Sequence, residues 1–93
     1  MPLRFEWDPA KAEANEAKHG VSFDEATTAF GDSLSLTIAD PEHSDGERRY
    51  TLLGQTFRGR LVVVVHVEQD EGTIRLVSAR PATRNERLDY EET

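Results

Sequence analysis

The sequence contains no cysteine, so a disulfide framework and a thiolate zinc site are both excluded. Small secreted domains usually depend on one of these, and their absence favours a cytoplasmic location. The longest apolar run, residues 61–65, is far shorter than the roughly 20 residues that span a bilayer. The N-terminus also lacks the apolar core of a secretory signal. We therefore expect a single domain over residues 1–93, with no membrane segment and no export signal.

Sequence motifs for several common site types are missing as well. There is no phosphate-binding G-x-x-x-x-G-K-[ST], no G-x-G-x-x-G after a strand, no G-x-S-x-G and no H-E-x-x-H. The three histidines lie far apart in the chain, which disfavours a zinc site. The sequence therefore predicts no metal and no other cofactor.

Lysine is scarce, with only Lys11 and Lys18, and the net charge of -7 argues against a nucleic-acid partner. The charge is unevenly distributed, however. Residues 1–46 hold three bases and ten acids, whereas residues 47–87 hold eight bases, all arginine, and five acids. Arginine binds phosphate in a bidentate manner that lysine cannot match. The second half therefore predicts either a phosphate-binding patch or a solvated, salt-bridged surface.

The first third of the chain predicts one strand and two helices. Apolar residues alternate with polar ones over 3–7, as in a half-buried strand. Asp8 is a suitable N-cap for a helix over 10–18, which is rich in Ala, Glu and Lys. Ser22 and Glu25 form the capping-box pattern that begins a second helix.

The remaining chain predicts four strands and a last helix. The strands lie over 34–38, 47–56, 61–67 and 73–80, and a polar loop lies over 40–46. The strand 61–67 is apolar on both faces and should be central, Gly54 suggests a bulge, and Pro81 suits the start of a helix that packs through Leu88 and Tyr90. The order β-α-α-β-β-β-β-α predicts an α+β fold, with two N-terminal helices on one face of a mostly antiparallel sheet.

Strand alternation determines which side chains share the open face of this sheet. Glu47 and Arg49 share one face of their strand, and strict alternation places Arg75 with Ala79, opposite Ile74, Leu76 and Ser78. If the faces coincide, arginines surround His66 and Glu47. Such a group could cleave RNA without a metal, because the substrate's 2′-hydroxyl is the nucleophile, arginines neutralise the phosphorane, and His66 and Glu47 move protons. The alternative for His66 is burial with a bond to a neighbouring backbone group.

Several short motifs follow one another along nearly the whole chain. They are Phe5-Glu6-Trp7-Asp8-Pro9-x-Lys11, Asn15-x-x-Lys18-His19-Gly20-Val21-x-Phe23, Glu47-x-Arg49, Gly59-Arg60-x-x-Val63-Val64, Arg75-x-x-Ser78-Ala79-Arg80 and Glu86-Arg87-x-x-Tyr90. In this order they resemble the BrnT toxin family. The resemblance implies a RelE-like fold, a ribonuclease that halts translation as the toxin of a type II toxin-antitoxin system, and a BrnA-type antitoxin. DNA would be contacted only through that antitoxin.

The resemblance and the arginine pattern together give a set of candidate site residues. The catalytic candidates are Arg60, Arg80, Glu47, Arg49 and His66, and the substrate-binding candidates are Arg75, Arg84, Lys18, His19 and Tyr90. Toxins of this fold tend to be basic, whereas this chain is acidic. A second interpretation is therefore kept: a catalytically inactive binding protein that partners a DNA-binding antitoxin in transcriptional autoregulation.

Overall fold

The structure, a computed structural model, describes residues 3–40, 48–70 and 72–92. Its elements in chain order are β1 (Arg4–Glu6), α1 (Pro9–His19), α2 (Phe23–Thr28), a 3-10 turn (Ala29–Gly31), β2 (Leu36–Ala39), β3 (Arg48–Gln55), β4 (Leu61–Glu68), β5 (Thr73–Pro81) and α3 (Arg84–Glu91). The predicted α+β class and element order are confirmed. Among the described helices, none is long and apolar enough to cross a membrane.

The five strands form one sheet in the order β1-β5-β4-β3-β2. Every neighbouring pair is antiparallel except β1 and β5, which run parallel. The β4 strand lies at the centre of the sheet, as its run of valines predicts. A strand whose two faces are both buried carries apolar side chains on each face. β1 is short and pairs only with the first part of β5, from Thr73 to Arg75.

Helices α1 and α2 pack on one face of the sheet, which we call the covered face. Asp8 caps α1 and Ser22 caps α2, and each side chain accepts a hydrogen bond from a first-turn backbone amide. The buried residues of this layer are Val21, Phe23, Ala26, Ala29, Leu52, Val62, Val64, Ile74, Leu76 and Ala79. This apolar layer forms the main core of the fold.

Asn15 fixes α1 against the edge of β5. Its amide nitrogen donates to the Ala79 carbonyl at 2.8 Å, and its amide oxygen accepts from the Ala79 amide at 3.1 Å. Because β1 ends before this point, the Ala79 backbone groups have no neighbouring strand on that side. The side-chain amide replaces the missing strand, which explains a buried polar residue in the helix.

The register contains one irregularity, and it differs from the predicted one. Gly54 pairs regularly with Val62, so the bulge predicted there is wrong. Instead, the 3-10 turn packs closely on Gly54, where an added Cβ would lie 3.0 Å from the Ala29 carbonyl oxygen. The bulge lies in β5 at Val77, because Val65 and His66 of β4 pair with Ser78 and Leu76.

The bulge also changes which side chains of β5 share a face. Ala79 joins Ile74 and Leu76 in the covered core, so the predicted grouping of Ala79 with Arg75 is wrong. The extra residue reverses the alternation, and Ser78 and Arg80 therefore point to the same side as Arg75. Strict period-2 alternation cannot reveal an inserted residue.

The C-terminal helix begins later than Pro81 predicts. Pro81 is the last residue of β5, and Thr83 is the N-cap of α3 in a complete capping box with Glu86. Tyr90 packs on a second apolar cluster, formed by Leu53, Leu61 and Val63, whereas Leu88 is exposed. The loop predicted over 40–46 lies, from residue 41 onward, outside the described residues.

Candidate functional site

The face of the sheet opposite α1 and α2 is partly uncovered, and we call it the open face. It carries Arg49, Thr51 and Leu53 of β3, Val63, Val65 and Val67 of β4, and Arg75, Ser78 and Arg80 of β5. Helix α3 covers the end of this face near Leu53 and Val63. The end near Val67 is not covered by any described helix.

His66 does not share a face with these arginines, so that expectation is wrong. Its strand neighbours Tyr50 and Leu76 lie on the covered face, and its ring contacts the Phe30 ring at 4.8 Å and the Tyr50 ring at 5.9 Å between centroids. The side chain is 3% exposed, and Nδ1 lies 3.2 Å from the Val64 carbonyl oxygen. Burial lowers the pKa of His66, which favours the neutral ring. The alternative of a buried, backbone-bonded histidine is confirmed.

Arg60 belongs to a network that ties the β3–β4 turn to α2. Its guanidinium makes a bidentate ion pair with Glu25 and also donates to the Gly20 carbonyl at 3.1 Å. Glu25 is buried and accepts a further bond from the Thr56 hydroxyl at 2.8 Å. The bond from Arg60 lowers the pKa of Glu25, so this carboxylate stays ionised despite its burial. The arginine therefore compensates a buried charge.

Arg80 has a comparable partner on the open face. Its two terminal nitrogens donate to the two carboxylate oxygens of Glu86 at 2.8 and 2.9 Å. The pair lowers the pKa of Glu86 to about 2, chiefly through the hydrogen bond from Arg80. Because Glu86 also completes the capping box of α3, this pair holds the helix to the end of β5.

Tyr90 and the two α1 candidates lie outside the uncovered part of the sheet. The Tyr90 hydroxyl donates to the Asp32 carboxylate at 2.6 Å, which anchors the far end of α3. Lys18 and His19 occupy the last turn of α1, next to Gly20 in its left-handed conformation. Arg84 is exposed at the first position of α3. Glu47 lies outside the described residues, so its catalytic role stays a prediction.

Arg49 and Arg75 come together at the uncovered end of the open face. Both are neighbours of Val67 in the sheet register, so their Cα atoms lie about 10 Å apart, two strand spacings. They line a cleft of about 360 Å³, whose walls are Lys11, Arg49, Val67, Gln69, Arg75 and Val77. We call it the cationic cleft, since three cations and no carboxylate from the described part of the chain line it.

The arginines of the cationic cleft differ from Arg60 and Arg80 in how they are neutralised. Within the described ranges, Arg75 forms no ion pair. The Nε of Arg49 is buried and lies 3.7 Å from the Asp40 carboxylate, which is within ion-pair distance but too far for a hydrogen bond, and it has no hydrogen-bond partner among the described residues. A buried donor without an acceptor is rare in folded proteins, and the contacts of the described residues do not account for this one.

Lys11 lines the cleft but is not among the site residues predicted from the sequence. It lies in the first turn of α1, which predicts only a solvated helix position. The one sequence signal was its place in the motif Trp7-Asp8-Pro9-x-Lys11. The described residues contain no group of three or more His, Asp or Glu side chains that could hold a metal ion.

Comparisons with known proteins place this geometry in context. A family model described as "Ribonuclease toxin, BrnT, of type II toxin-antitoxin system" matches residues 7–86. The crystal structure of the Brucella abortus ribonuclease toxin, BrnT, is similar in fold, with a TM-score of 0.70 at 19% identity, and the match covers 88% of this chain and 99% of that one. No curated protein matches the chain significantly.

Proposed function

Because the chain belongs to the BrnT family of ribonuclease toxins of type II toxin-antitoxin systems, we propose that it cleaves RNA in the cationic cleft without a metal ion. We further propose that a BrnA-type antitoxin silences it there and that it acts in the cytoplasm, where RNA is translated. The observation that carries the site assignment is the pair of arginines beside Val67: Arg75 has no ion pair in the described chain, and the buried Nε of Arg49 has only a 3.7 Å contact with Asp40 and no hydrogen bond there.

The chemistry needs little from the protein. The 2′-hydroxyl of one nucleotide loses its proton to a base and attacks the adjacent phosphorus, and the 5′-oxygen of the next nucleotide leaves with a proton. The products are a 2′,3′-cyclic phosphate and a 5′-hydroxyl. Arg49 and Arg75 bind the phosphate and neutralise the charge that grows on its oxygens, which is the role that arginine's fork suits best. Glu47, two residues before Arg49, is the predicted proton acceptor.

We assign a structural role to the two other arginines among the catalytic candidates. Arg60 and Arg80 each hold a carboxylate in a bidentate pair, and we propose that they brace α2 and α3 rather than contact substrate. Lys18, His19 and Tyr90 stay predictions as substrate contacts, and they lie away from the cationic cleft. The binding of RNA is thus assigned to the uncovered end of the sheet.

Incubation of the purified protein with RNA in excess chelator tests the metal-free reaction. The expected result is undiminished cleavage with 2′,3′-cyclic phosphate ends. Loss of cleavage that a divalent cation restores contradicts the metal-free mechanism. If no RNA is cleaved under any condition, while a stable complex with the antitoxin forms, the chain is the catalytically inactive binding protein of the second interpretation.

The antitoxin is proposed to cover the open face. This face combines the cationic cleft with exposed apolar side chains, Ile38 on the edge strand β2 and Leu88 on α3. Arginine anchors are typical of tight interfaces, and burial of exposed apolar side chains adds to the free energy of binding. In a complex that inhibits cleavage at a one-to-one ratio, hydrogen exchange should slow in β3 to β5. Slower hydrogen exchange only in α1 and α2, with Arg75 still accessible to an arginine-modifying reagent, contradicts this placement.

A further inference from the structure

Lys11 lines the cationic cleft, although its helix packs on the opposite face of the sheet. The local fold explains how it does so. β1 pairs with β5 only as far as Arg75, so the next part of the β5 edge has no neighbouring strand. The bulge at Val77 lies in this stretch, and α1 begins beside it. The first turn of α1 therefore stands at an open edge, from which Lys11 reaches the cleft.

No carboxylate of the described residues pairs with Lys11 within ion-pair distance. The same holds for Arg75, and Arg49 has only the long contact to Asp40. Three clustered cations repel one another, and among the described residues the Asp40 carboxylate, 3.7 Å from Arg49, offsets only part of that repulsion. Such an arrangement is suited to an anionic ligand that bridges the cations.

The floor of the cleft restricts the kind of anion further. Val67 and Val77 supply an apolar surface between the cations, and Gln69 adds an uncharged amide. A phosphodiester carries one negative charge, shared by two non-bridging oxygens, next to the C–H groups of the ribose, which matches cations around an apolar floor. The volume of about 360 Å³ lies at the small end of ligand sites, of roughly 300–1,000 Å³. This volume is large enough for a phosphate with its adjoining ribose.

We propose that Lys11 is a third phosphate ligand of this cleft and that it binds the RNA backbone together with Arg49 and Arg75. The proposal rests on the proposed function for the identity of the ligand. Lys11 contacts a phosphate oxygen and no base, so it contributes to affinity for every RNA sequence equally. It is a binding residue, and the proton transfers of cleavage do not depend on it.

The salt dependence of binding tests this role separately from cleavage. A 2′-O-methyl oligonucleotide binds without reacting, because it lacks the nucleophile. Its affinity for the wild type, for Lys11→Gln and for the matched control Arg87→Gln is measured at several salt concentrations. Arg87 is exposed on α3, outside the cleft, and its substitution removes the same unit of charge.

Loss of one phosphate contact on a single strand lowers the slope of log affinity against log salt by about 0.7. This change is expected for Lys11→Gln and not for Arg87→Gln, and Lys11→Arg should retain the wild-type slope. An unchanged slope in Lys11→Gln overturns the proposal. Equal changes in Lys11→Gln and Arg87→Gln also overturn it, since they show an effect of net charge alone.

Two further measurements are needed. The first distinguishes an RNA backbone from free phosphate as the ligand, and the second distinguishes the role of Lys11 from the proposed cleavage of RNA. Inorganic phosphate should displace the oligonucleotide from the wild type only at high concentration if the ligand is a chain of phosphodiesters. Displacement at low concentration shows a free-phosphate site and overturns the backbone role. If the wild type binds the oligonucleotide with the expected slopes but cleaves no RNA, the proposed function fails while the role of Lys11 stands.

Discussion

The arginines at the two ends of the strand pair β4 and β5 differ in their carboxylate partners. At the end where β4 begins, Arg60 and Arg80 are each held by both oxygens of a carboxylate. Next to Val67, about 13 Å along β4 from the neighbour of Arg80 and about 23 Å from Arg60, Arg49 and Arg75 lack such partners among the described residues. The difference supports a division of the arginines into two groups, one that braces the fold and one that is free of a bidentate carboxylate partner among the described residues and is proposed to bind a ligand.

Charge arithmetic explains why both kinds occur in an acidic chain. The carboxylates that neutralise Arg60 and Arg80 come from α2 and α3, which pack against that end of the sheet. At the other end, the described residue that reaches the cleft from a helix is a lysine. A net charge of -7 therefore coexists with a local positive field, because the acids lie elsewhere on the surface.

The largest expected effect is the loss of cleavage in Arg75→Gln. Its guanidinium should contact the phosphate in the transition state, and removal of one such electrostatic contact typically lowers the rate about 100-fold or more. Arg75 is exposed and unpaired in the described chain, so the free energy of unfolding should change by less than about 0.5 kcal/mol. Single-turnover cleavage and thermal unfolding measure the two quantities.

Arg87→Gln is again the control for charge in this experiment. If Arg75→Gln cleaves RNA at the wild-type rate, Arg75 does not contact the phosphate in the transition state. The proposed division between bracing and substrate-binding arginines is then wrong. Equal losses in both variants would indicate long-range attraction of RNA in place of contact in the cleft.

The second effect is on stability and concerns Arg60→Ala. The substitution leaves Glu25 buried with only the Thr56 hydroxyl as a side-chain donor, and an uncompensated buried charge should cost about 2 kcal/mol in the free energy of unfolding. The double variant with Glu25→Gln should recover part of that loss, because the buried charge is then absent. Denaturant unfolding of the four proteins in this cycle measures the coupling.

A contrary outcome would be informative for the site. If Arg60→Ala unfolds at the wild-type denaturant concentration but loses cleavage, Arg60 contacts the substrate as the family resemblance implies. The bracing role would then be wrong, and the functional surface would extend to the β3–β4 turn.

A smaller effect is expected from His66→Phe. The folded-state pKa of His66 is lowered by burial, so the unfolded chain binds the proton first. Stability is therefore fully present above about pH 6.5, the unperturbed value, and is lost as the pH falls below it. A phenylalanine between the rings of Phe30 and Tyr50 should remove this acid sensitivity and preserve cleavage. Unfolding curves from pH 8 to pH 5 give the first result, and loss of cleavage in a folded variant contradicts the second.

Local sequence patterns predict most of the fold, and the reasons are physical. Caps such as Asp8 and Ser22 act within one helical turn, and the valine run of β4 reports burial on both faces, so both can be read from short segments. The parallel pairing of β1 with β5 joins residues about 70 positions apart. No particular residue type marks the bulge at Val77 in the sequence. The parallel pairing and the bulge both depend on the tertiary arrangement and so cannot be read from short segments.

The candidate site is less predictable for the same reason. Charge and alternation predict Arg49 and Arg75 as site residues. The alternation is reliable for these two because the bulge at Val77 changes the facing only of the later residues of β5. Alternation alone does not determine which face of β4 the helices cover. The sequence therefore allows His66 to share a face with the arginines, which it does not do in the structure. Lys11 reaches the cleft around a strand edge that only the finished sheet defines.

The smallest expected effect concerns Arg80→Gln, which separates bracing from binding on the open face itself. The pair with Glu86 is partly exposed, so its loss should lower the free energy of unfolding by about 1 kcal/mol at neutral pH and leave cleavage within a few-fold of wild type. The pKa of Glu86 is about 2 in the folded protein, below its unfolded value of about 4.3. The contribution of the pair is thus present above that unfolded value and disappears as the pH falls toward 2. Wild type and variant should therefore converge in stability near pH 2 and differ at pH 6. If instead Arg80→Gln is as stable as wild type at pH 6 and cleaves no RNA, Arg80 acts on the substrate, and the division of the arginines between the two ends of the sheet is wrong.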